Sequence, residues 1–402
     1  MILHQFSYPY EKKKLGVKTH KKIIIIGFIL TIIIAFYISS WDNKLYWDKV
    51  GVILPNGVDW NAKKVQDLFI MQDDNGLFLR NSTGWIYGYF SGAEGDVPLP
   101  HSIGLAFSND EYGLIWEEYV NNPIITNSSE ESYRVLGVSA PNVFCYNSSH
   151  YAMIHAGIDG DVFLTAMLEF SIDGISWIPY VNNPVMTTAD HEYHWNSTHD
   201  PESMRAITVC VDPFSIERYG VGEKGYLLMF EARVNGTLGG SDIAWKNFAA
   251  VSQNLIDWTP LNDGEPVFKG SGIDDAWDKT GVANPKMFKL NDGEAIIMYN
   301  GITDDNGGGY SISTFRIGFA YTIDMNLDYS NWTRYVANPI IDIGVAVAWD
   351  DTHVKMDSVG KWGLTSFIVY YHGFEDEEIC QTGAAILRQN WCLNFPKLLK
   401  MR

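Results

Sequence analysis

Short apolar runs separated by turn-forming residues recur along the chain from about residue 60 to residue 390. Several breaks between them contain Asn-Gly or Asp-Gly pairs, as in "DDNG" at 73–76 and "NDG" at 291–293. Such pairs supply the positive φ that tight hairpins require, and the runs themselves are rich in β-branched and aromatic residues. The pattern therefore predicts antiparallel β-strands joined by hairpins.

The apolar runs fall into five units, and each unit has three runs in the same order. The first runs are "DLFIMQ" (67–72), "PNVFCYN" (141–147), "AITVCV" (206–211), "PKMFKL" (285–290) and "HVKMDSV" (353–359). The second runs are "WIYGYFSG" (85–92), "YAMIHAG" (151–157), "YLLMFEA" (226–232), "AIIMYNG" (295–301) and "FIVYYHG" (367–373). The third runs are "IGLAFSND" (103–110), "LTAMLEFSIDG" (164–174), "FAAVSQN" (248–254), "IGFAYTID" (317–324) and "TGAAIL" (382–387).

A fourth segment follows the third run in the first four units and is nearly copied between them. It reads "WEEYVNNPII" at 116–125, "WIPYVNNPVM" at 177–186 and "WTRYVANPII" at 332–341, with a weaker copy, "WTPLNDGEPVF", at 258–268. We predict that this segment is the outermost strand of a four-stranded antiparallel blade. Five such units indicate an all-β fold, a five-bladed β-propeller over residues 60–390. A β-sandwich fits less well because it lacks this longer period.

The first 40 residues differ from the rest of the chain. Residues 1–22 contain six Lys and one Glu, and residues 23–40 are uncharged and mostly apolar. An apolar run of about this length approaches the ~30 Å of a bilayer core, and the preceding positive charge predicts a cytoplasmic N-terminus. We therefore predict a single-pass transmembrane signal anchor at the cell membrane, a linker and entry segment over 41–59, an extracellular propeller and a tail over 391–402. A cleaved signal peptide is the alternative.

The net charge disfavours one class of partner, and the sequons indicate where the protein is located. The chain carries a net charge of −19, which disfavours nucleic acid as a partner because phosphate binding needs basic surface. The sequence also has no zinc, P-loop, Rossmann or Ser-His-Asp signature. N-x-Ser/Thr sequons follow the apolar segment and none precedes it, which agrees with an exported glycoprotein. They lie at Asn81, Asn127, Asn147, Asn196, Asn235 and Asn331.

The pattern "IGLAFSNDEYGLIWEEYVNNPII" at 103–125 resembles the repeats of the five-bladed propeller glycoside hydrolases. That superfamily includes arabinanases, β-xylosidases, invertases and mannoside phosphorylases, and the resemblance extends over all five units. It implies a carbohydrate substrate and an axial pocket lined by the innermost strands. It also implies a pair of carboxyl groups, because one must hold a proton while the other activates water or attacks carbon.

Three positions follow from this resemblance. Asp67 stands where the arabinanase type has its general base at the start of the first inner strand. Asn142, in "APNVF", replaces the Asp of the family's "APDVF". Asn284, in "ANPKMF", stands where the arabinanase type has its acid, which weakens that assignment but leaves the invertase type open. Asp67 is also compatible with a simple polar strand start.

Unit three contributes the remaining catalytic candidates. Aligning the second runs on their last aromatic residue places Ser91, Ala156, Glu231, Asn300 and His372 in one column. Glu231 is the carboxylate of that column, and a Glu inside an apolar strand is costly unless it is paired or functional, so we predict that it is the acid. Its alternative role is that of a buried partner for an arginine. Asp200, in "HDPESMRAIT", resembles the Asp-Pro motif of the invertase type, with Arg205 as its partner.

Unit five supplies histidines to the same axis. His353 lies in "WDDTHVKM" and His372 ends the second run, so we predict that both bind substrate together with Asn142, Arg205 and Asn284. The chemistry requires no cofactor. In relatives, a structural calcium ion or a water cluster occupies the corresponding region, and here the nearby acidic oxygens would suit calcium.

Two classes of function stay open. The first is a membrane-anchored extracellular enzyme that hydrolyses or phosphorolyses glycosidic bonds, with Asp67 as base or nucleophile, Glu231 as acid and Asp200 as auxiliary. The second is a catalytically inactive propeller that binds glycan or protein at the cell surface. Glu231 and Asp200 favour the enzyme, whereas the amides at Asn142 and Asn284 favour the binding module.

Overall fold

The computed structural model describes residues 46–73, 77–95, 100–147, 149–158, 164–186, 201–211, 225–234, 244–291, 294–303, 314–322, 331–362, 366–375 and 379–388. The predicted basic tail, transmembrane segment and C-terminal tail lie outside these ranges. Within them, no helix combines the length and the apolar character needed to cross a bilayer.

The described residues form twenty β-strands arranged in five antiparallel blades. Blade one contains β2 (Lys64–Ile70), β3 (Ile86–Ala93), β4 (His101–Ser108) and β5 (Glu117–Glu118). Blade two contains β6 (Gly137–Asn147), β7 (His150–Ile158), β8 (Leu164–Ser171) and β9 (Ile178–Pro179). Blade three contains β10 (Pro201–Val211), β11 (Tyr226–Val234), β12 (Ala244–Ser252) and β13 (Thr259–Pro260).

Blade four contains β14 (Gly281–Asn291), β15 (Glu294–Ile302), β16 (Phe315–Thr322) and β17 (Thr333–Arg334). Blade five contains β18 (His353–Trp362), β19 (Ser366–Phe374), β20 (Cys380–Arg388) and β1 (Tyr46–Leu54). Two 3₁₀ turns, Ser132–Arg134 and Asn262–Gly264, are the helical elements of the described part. The all-β class and the propeller architecture predicted from the repeats are confirmed.

Blade five is completed by a strand from the other end of the chain. Strand β1 pairs antiparallel with β20, from Tyr46 opposite Arg388 to Leu54 opposite Thr382. The ammonium Nζ of Lys49 on β1 lies 2.7 Å from Oδ2 of Asp350, which precedes β18. The outer edge of β20 is thereby covered, as radial folds require to protect strand edges.

The copied W…NP segment forms the outer edge of its blade through an asparagine side chain. The amide of Asn122 accepts a hydrogen bond from the backbone N–H of Leu105 and donates one to its carbonyl, both at 2.9 Å. Asn183 makes the same pair of bonds to Leu168, and Asn338 makes them to Phe319. Because a side-chain amide carries one acceptor and donors like a peptide group, it extends the sheet beyond the two-residue strand. The copied residues therefore serve the scaffold.

A second repeated contact lies within three of the blades. It was not predicted from the sequence. Trp60, Trp277 and Trp349 each pack on two glycines from the second and third strands of their blade. These pairs are Gly92 and Gly104, Gly301 and Gly318, and Gly373 and Gly383. A Cβ atom on Gly301 would lie 2.3 Å from the indole of Trp277, so the glycines make room for the ring.

Candidate functional site at the propeller axis

The innermost strands of the blades contain bulges that change the direction of the backbone. In three of them the bulged residue has a positive φ, at 56° for Asp67 on β2, 51° for Ala140 on β6 and 44° for Asn284 on β14. Bulges redirect side chains, and they are common beside active sites. Asp and Asn tolerate the left-handed region better than most residues, so Asp67 and Asn284 suit these positions.

Each of three bulges is held by a polar side chain on the second strand of the preceding blade. We call such a contact a joint. The Ser91 hydroxyl accepts a hydrogen bond from the backbone N–H of Ala140 at 2.9 Å. Asn300 accepts one from the N–H of Met356 at 2.9 Å, and Oε2 of Glu231 accepts one from the N–H of Asn284. The acceptors are buried, so three of the five residues in the column identified in the sequence form joints.

The joint between blades five and one has a different composition. His372 occupies the column position, but the acceptor for the backbone N–H of Asp67 is Oδ1 of Asp357, at 3.0 Å. The same Asp357 oxygen is hydrogen-bonded to Nδ1 of His372. Asp357 and His372 are buried, whereas Asp67 is half-buried. Two carboxyl groups and an imidazole therefore meet where the ring closes.

A lysine adds a positive charge beside these carboxylates. The ammonium Nζ of Lys355 lies 4.6 Å from the ring centre of Phe315 and 5.1 Å from that of Phe374. Burial lowers the pKa of Lys355 to about 8, against an opposing attraction from Glu231 and Asp67. Because the interaction between two charges weakens with distance, Glu231 and Asp67 are close enough to Lys355 to interact with its charge.

His353 is a neutral imidazole at the start of β18. It is only 8% exposed, and its Nδ1 has no hydrogen-bond partner among the residues that the structure describes. Its ring packs edge-on against Phe315 and Phe374. Burial, and then the charges of Lys355 and His372, lower the pKa of His353 to about 4. His353 can therefore donate or accept a hydrogen bond as a neutral ring.

Solved structures of glycoside hydrolases share this architecture. One represents the GH130 family of mannoside phosphorylases, which contains glycoside hydrolases that target β-1,2-mannosidic linkages in Candida mannan; its TM-score is 0.60 at 16% identity, over 88% of this chain and 97% of that one. A second is the catalytic domain of the GH62 α-L-arabinofuranosidase of Coprinopsis cinerea, with a TM-score of 0.52 at 11% identity, over 87% and 99% of the two chains. This chain has the fold of the propeller glycoside hydrolases.

One curated relative is similar to part of this chain in sequence. The acid β-fructofuranosidase of Vigna radiata var. radiata is 30% identical over 149 residues, which are 35% of this chain. The match spans only a fifth of the length of that enzyme. No protein-family model matches the chain. The resemblance stated from the repeats is confirmed by these comparisons.

The propeller brings some of the predicted site residues together. Asp67 and His372 both contact Asp357, and Glu231 contacts the backbone of Asn284. The side-chain amide of Asn284 also donates to the carbonyl of Met356 at 3.2 Å. Asn284 thus contributes to the packing of blades four and five, beside its predicted role in substrate binding.

The described contacts do not test the predicted roles of Asn142, Asp200 and Arg205. Asn142 is buried and donates to the carbonyl of Ala140, two residues away, at 2.8 Å. Asp200 lies outside the described residues, and only the backbone of Arg205, on β10, is described. Their predicted roles therefore stay predictions.

Two residues of the site were missed from the sequence. Asp357 and Lys355 both lie in the run "HVKMDSV", which we interpreted as an apolar strand. The criterion that selected Glu231, a charged residue inside an apolar strand, applies equally to both of them.

A cation would find suitable atoms at the closing joint, but these atoms already have partners. Ligand atoms of Asp67, Asp357 and His372 all lie within 4.8 Å of one another. Because Oδ1 of Asp357 accepts the backbone N–H of Asp67 and is hydrogen-bonded to Nδ1 of His372, we interpret the group as a hydrogen-bonded cluster. Asp350 instead accepts from Lys49 and from the hydroxyl of Tyr371. A structural calcium ion remains a prediction.

Proposed function

We propose that the protein cleaves glycosidic bonds at the end of the propeller axis, with Asp67 as general base or nucleophile. The observation that carries this proposal is the presentation of Asp67: a half-buried carboxylate on a bulge with φ of 56°, at the joint where the ring closes and within electrostatic reach of Lys355. Of the three bulged residues with positive φ, Asp67 carries an ionisable side chain, whereas Ala140 and Asn284 carry none. The glycoside hydrolase fold agrees with that function.

Glu231 is the first candidate for the proton donor and Asp200 the auxiliary carboxylate. Glu231 is only 2% exposed and one of its oxygens holds the joint to Asn284. A buried carboxyl group beside the axis suits an acid that must keep its proton, as general acids in glycosidases do. The engaged oxygen, however, also gives Glu231 a role in packing, and a test must separate the two.

The substitution Glu231→Gln makes this separation. A glutamine oxygen can still accept the hydrogen bond from the N–H of Asn284, but the amide cannot deliver a proton. If Glu231 is the acid, turnover of an unactivated glycan should fall by about 10²-fold or more. An aryl glycoside with a good leaving group needs little protonation, so its turnover should fall much less. Rates for both substrates, with and without inorganic phosphate, would also distinguish hydrolysis from phosphorolysis.

Two outcomes would contradict parts of the proposal. Equal losses on both substrates, with an unchanged melting temperature, would make Glu231 a substrate-positioning residue and move the search for the acid to Asp200. A well-folded wild-type protein that binds glycans but cleaves none of a broad panel would instead indicate the binding module.

The location of the enzyme is a further part of the proposal. The apolar segment 23–40 and the sequons support a single-pass anchor with the propeller outside the cell. Asn127 and Asn147 have exposed side chains, as glycan attachment requires. Protease added to intact cells should release the propeller by cleavage ahead of β1, which begins at Tyr46. A propeller that stays protected until the cells are permeabilised would contradict this topology.

A further inference from the structure

Asp357 has no part in the chemistry proposed above, yet it contacts the residue on which that chemistry depends. Its Oδ1 accepts the backbone N–H of Asp67 and is also bonded to His372. Its Oδ2 lies 3.5 Å from the hydroxyl of Thr382. Because Asp357 is buried, it cannot itself meet a substrate in this arrangement. Any effect it has on catalysis must pass through a residue that it contacts, and Asp67 is the contacted residue with a proposed catalytic role.

The other joints show what a purely mechanical contact looks like. Ser91 and Asn300 hold Ala140 and Met356 with neutral side chains. A neutral acceptor is therefore sufficient to hold the inner strand of the next blade. At the closing joint a carboxylate does this instead, and a histidine occupies the position from which the neutral acceptors come.

We propose that Asp357 is a positioning residue for Asp67: in its ionised form, supported by His372, it holds the Asp67 backbone in the bulge that presents the Asp67 carboxylate to substrate. The inference rests on the proposed role of Asp67. Its physical basis is that a hydrogen bond to an ionised acceptor is about twice as strong as one between neutral groups. The joint that holds Asp67 is thus firmer than a neutral joint would be.

The protonation state of Asp357 has opposite effects on stability and on the proposed positioning of Asp67. Burial raises the pKa of Asp357, and His372 only partly opposes that effect. The folded protein therefore binds more protons than the unfolded chain between the ordinary pKa of Asp and the raised one, and stability falls as pH rises through that window. The ionised form that holds Asp67 most firmly is the form that the fold favours least.

The neighbouring charges belong to several strands. His372 on β19 and Lys286 on β14 lower the pKa of Asp357, whereas Asp67 on β2 raises it. Lys355 on the same strand, Lys64 on β2 and Cys380 on β20 interact electrostatically with members of this group. Any change at Asp357 must be measured against this background, so the substitution should preserve shape and alter only charge.

Asp357→Asn is such a substitution. The amide oxygen can still accept from Asp67 and His372, but the negative charge is lost. We expect kcat to fall about 10-fold, with KM within about two-fold, because a small misplacement of a reacting group is costly. We also expect the melting temperature to stay equal or to rise, since a buried charge is removed. The control is Ser91→Ala, which weakens the neutral joint at Ala140 and should lower the melting temperature without changing kcat or the pH profile.

A measurement on the wild-type protein makes the test independent of turnover. The backbone amide proton of Asp67, in ¹⁵N-Asp-labelled protein and assigned by its loss in Asp67→Asn, should shift as Asp357 titrates, with a midpoint above the ordinary range of Asp. In Asp357→Asn this step should disappear. If the protein also cleaves glycosides, the acidic limb of kcat should share the midpoint.

The outcomes separate the two proposals. An amide proton that does not titrate, or an Asp357→Asn variant with unchanged kcat and a lowered melting temperature, would overturn the positioning role and leave a structural joint. A protein with a titrating amide but no activity on any glycoside would overturn the proposed function while retaining the contact between Asp357 and Asp67.

Discussion

The joints at Ser91 and Asn300 use a hydroxyl or an amide as the acceptor, whereas those at Glu231 and Asp357 use a carboxyl group. We call the latter two charged joints because a carboxyl group can ionise. Asp357 also lies on an inner strand, unlike the other three acceptors. All four acceptors are buried, and all four receive a backbone N–H from the inner strand of a neighbouring blade. The neutral joints show that the mechanical task requires no carboxylate. Burying a carboxylate is costly unless it is paired, so the charged joints need a second explanation.

The residues held by the charged joints supply that explanation. The neutral joints hold Ala140 and Met356, which carry no reactive group. The charged joints hold Asn284 and Asp67, which are two of the residues predicted to act on substrate. Charge at a joint thus coincides with function at the residue it holds. The following predictions test whether this coincidence has a causal basis.

The largest effect is expected at Asp67. Asp67→Asn keeps a residue that tolerates a φ of 56°, and it keeps the backbone N–H that Asp357 binds. It removes the carboxylate, so kcat/KM should fall by about 10³-fold or more, in the range of a lost general base or nucleophile. The measurement is steady-state kinetics on the best substrate of a glycoside panel. The melting temperature serves as the control for folding.

A small loss of activity in a well-folded Asp67→Asn protein would contradict the role of Asp67 as general base or nucleophile. Asp67 would then be a polar strand start, as the sequence alone also allowed, and the closing joint would be structural despite its charge.

The sequence predicted the architecture because the propeller repeats its local rules five times. Hairpin turns, apolar runs and the W…NP segment are each readable from neighbouring residues. The repeated alignment placed Ser91, Ala156, Glu231, Asn300 and His372 in one column, and the structure shows that Ser91, Glu231 and Asn300 form joints. What the column does could not be read, because each joint connects residues that are far apart in the chain.

The candidate site was only partly predictable for the same reason. Asp67 and Asp357 are 290 positions apart and meet only because the ring closes. The sequence also gave no indication that Asp357 would replace His372 as the acceptor at this joint. A bulge shifts the register by one residue, and its position on β18 depends on the packing between blades.

The second prediction concerns the neutral joints. Asn300→Ala removes the acceptor for the Met356 N–H and the donor to the Val354 carbonyl, which lies 2.7 Å away. Two buried polar groups lose their partner, so the free energy of unfolding should fall by about 4 kcal/mol. Ser91→Ala removes only one acceptor and should lose about 2 kcal/mol. Urea titration of both variants measures the difference, and equal losses would show that these bonds do not determine joint strength.

The last prediction extends the comparison to pH, through the strand that carries Asp357. His353 begins that strand, and burial lowers its folded-state pKa to about 4, below the ordinary value of 6.5. As pH falls from 6.5 towards 4, the unfolded chain binds a proton that the folded protein refuses, so stability decreases in that window. The loss attributable to His353 should reach about 3 kcal/mol. His353→Phe fits between Phe315 and Phe374 and cannot titrate, so its free energy of unfolding, measured in urea at pH 7 and pH 4, should change less than that of the wild type by this amount. If both proteins lose the same stability on acidification, His353 does not contribute, and the acid sensitivity of blade five must come from its carboxylates.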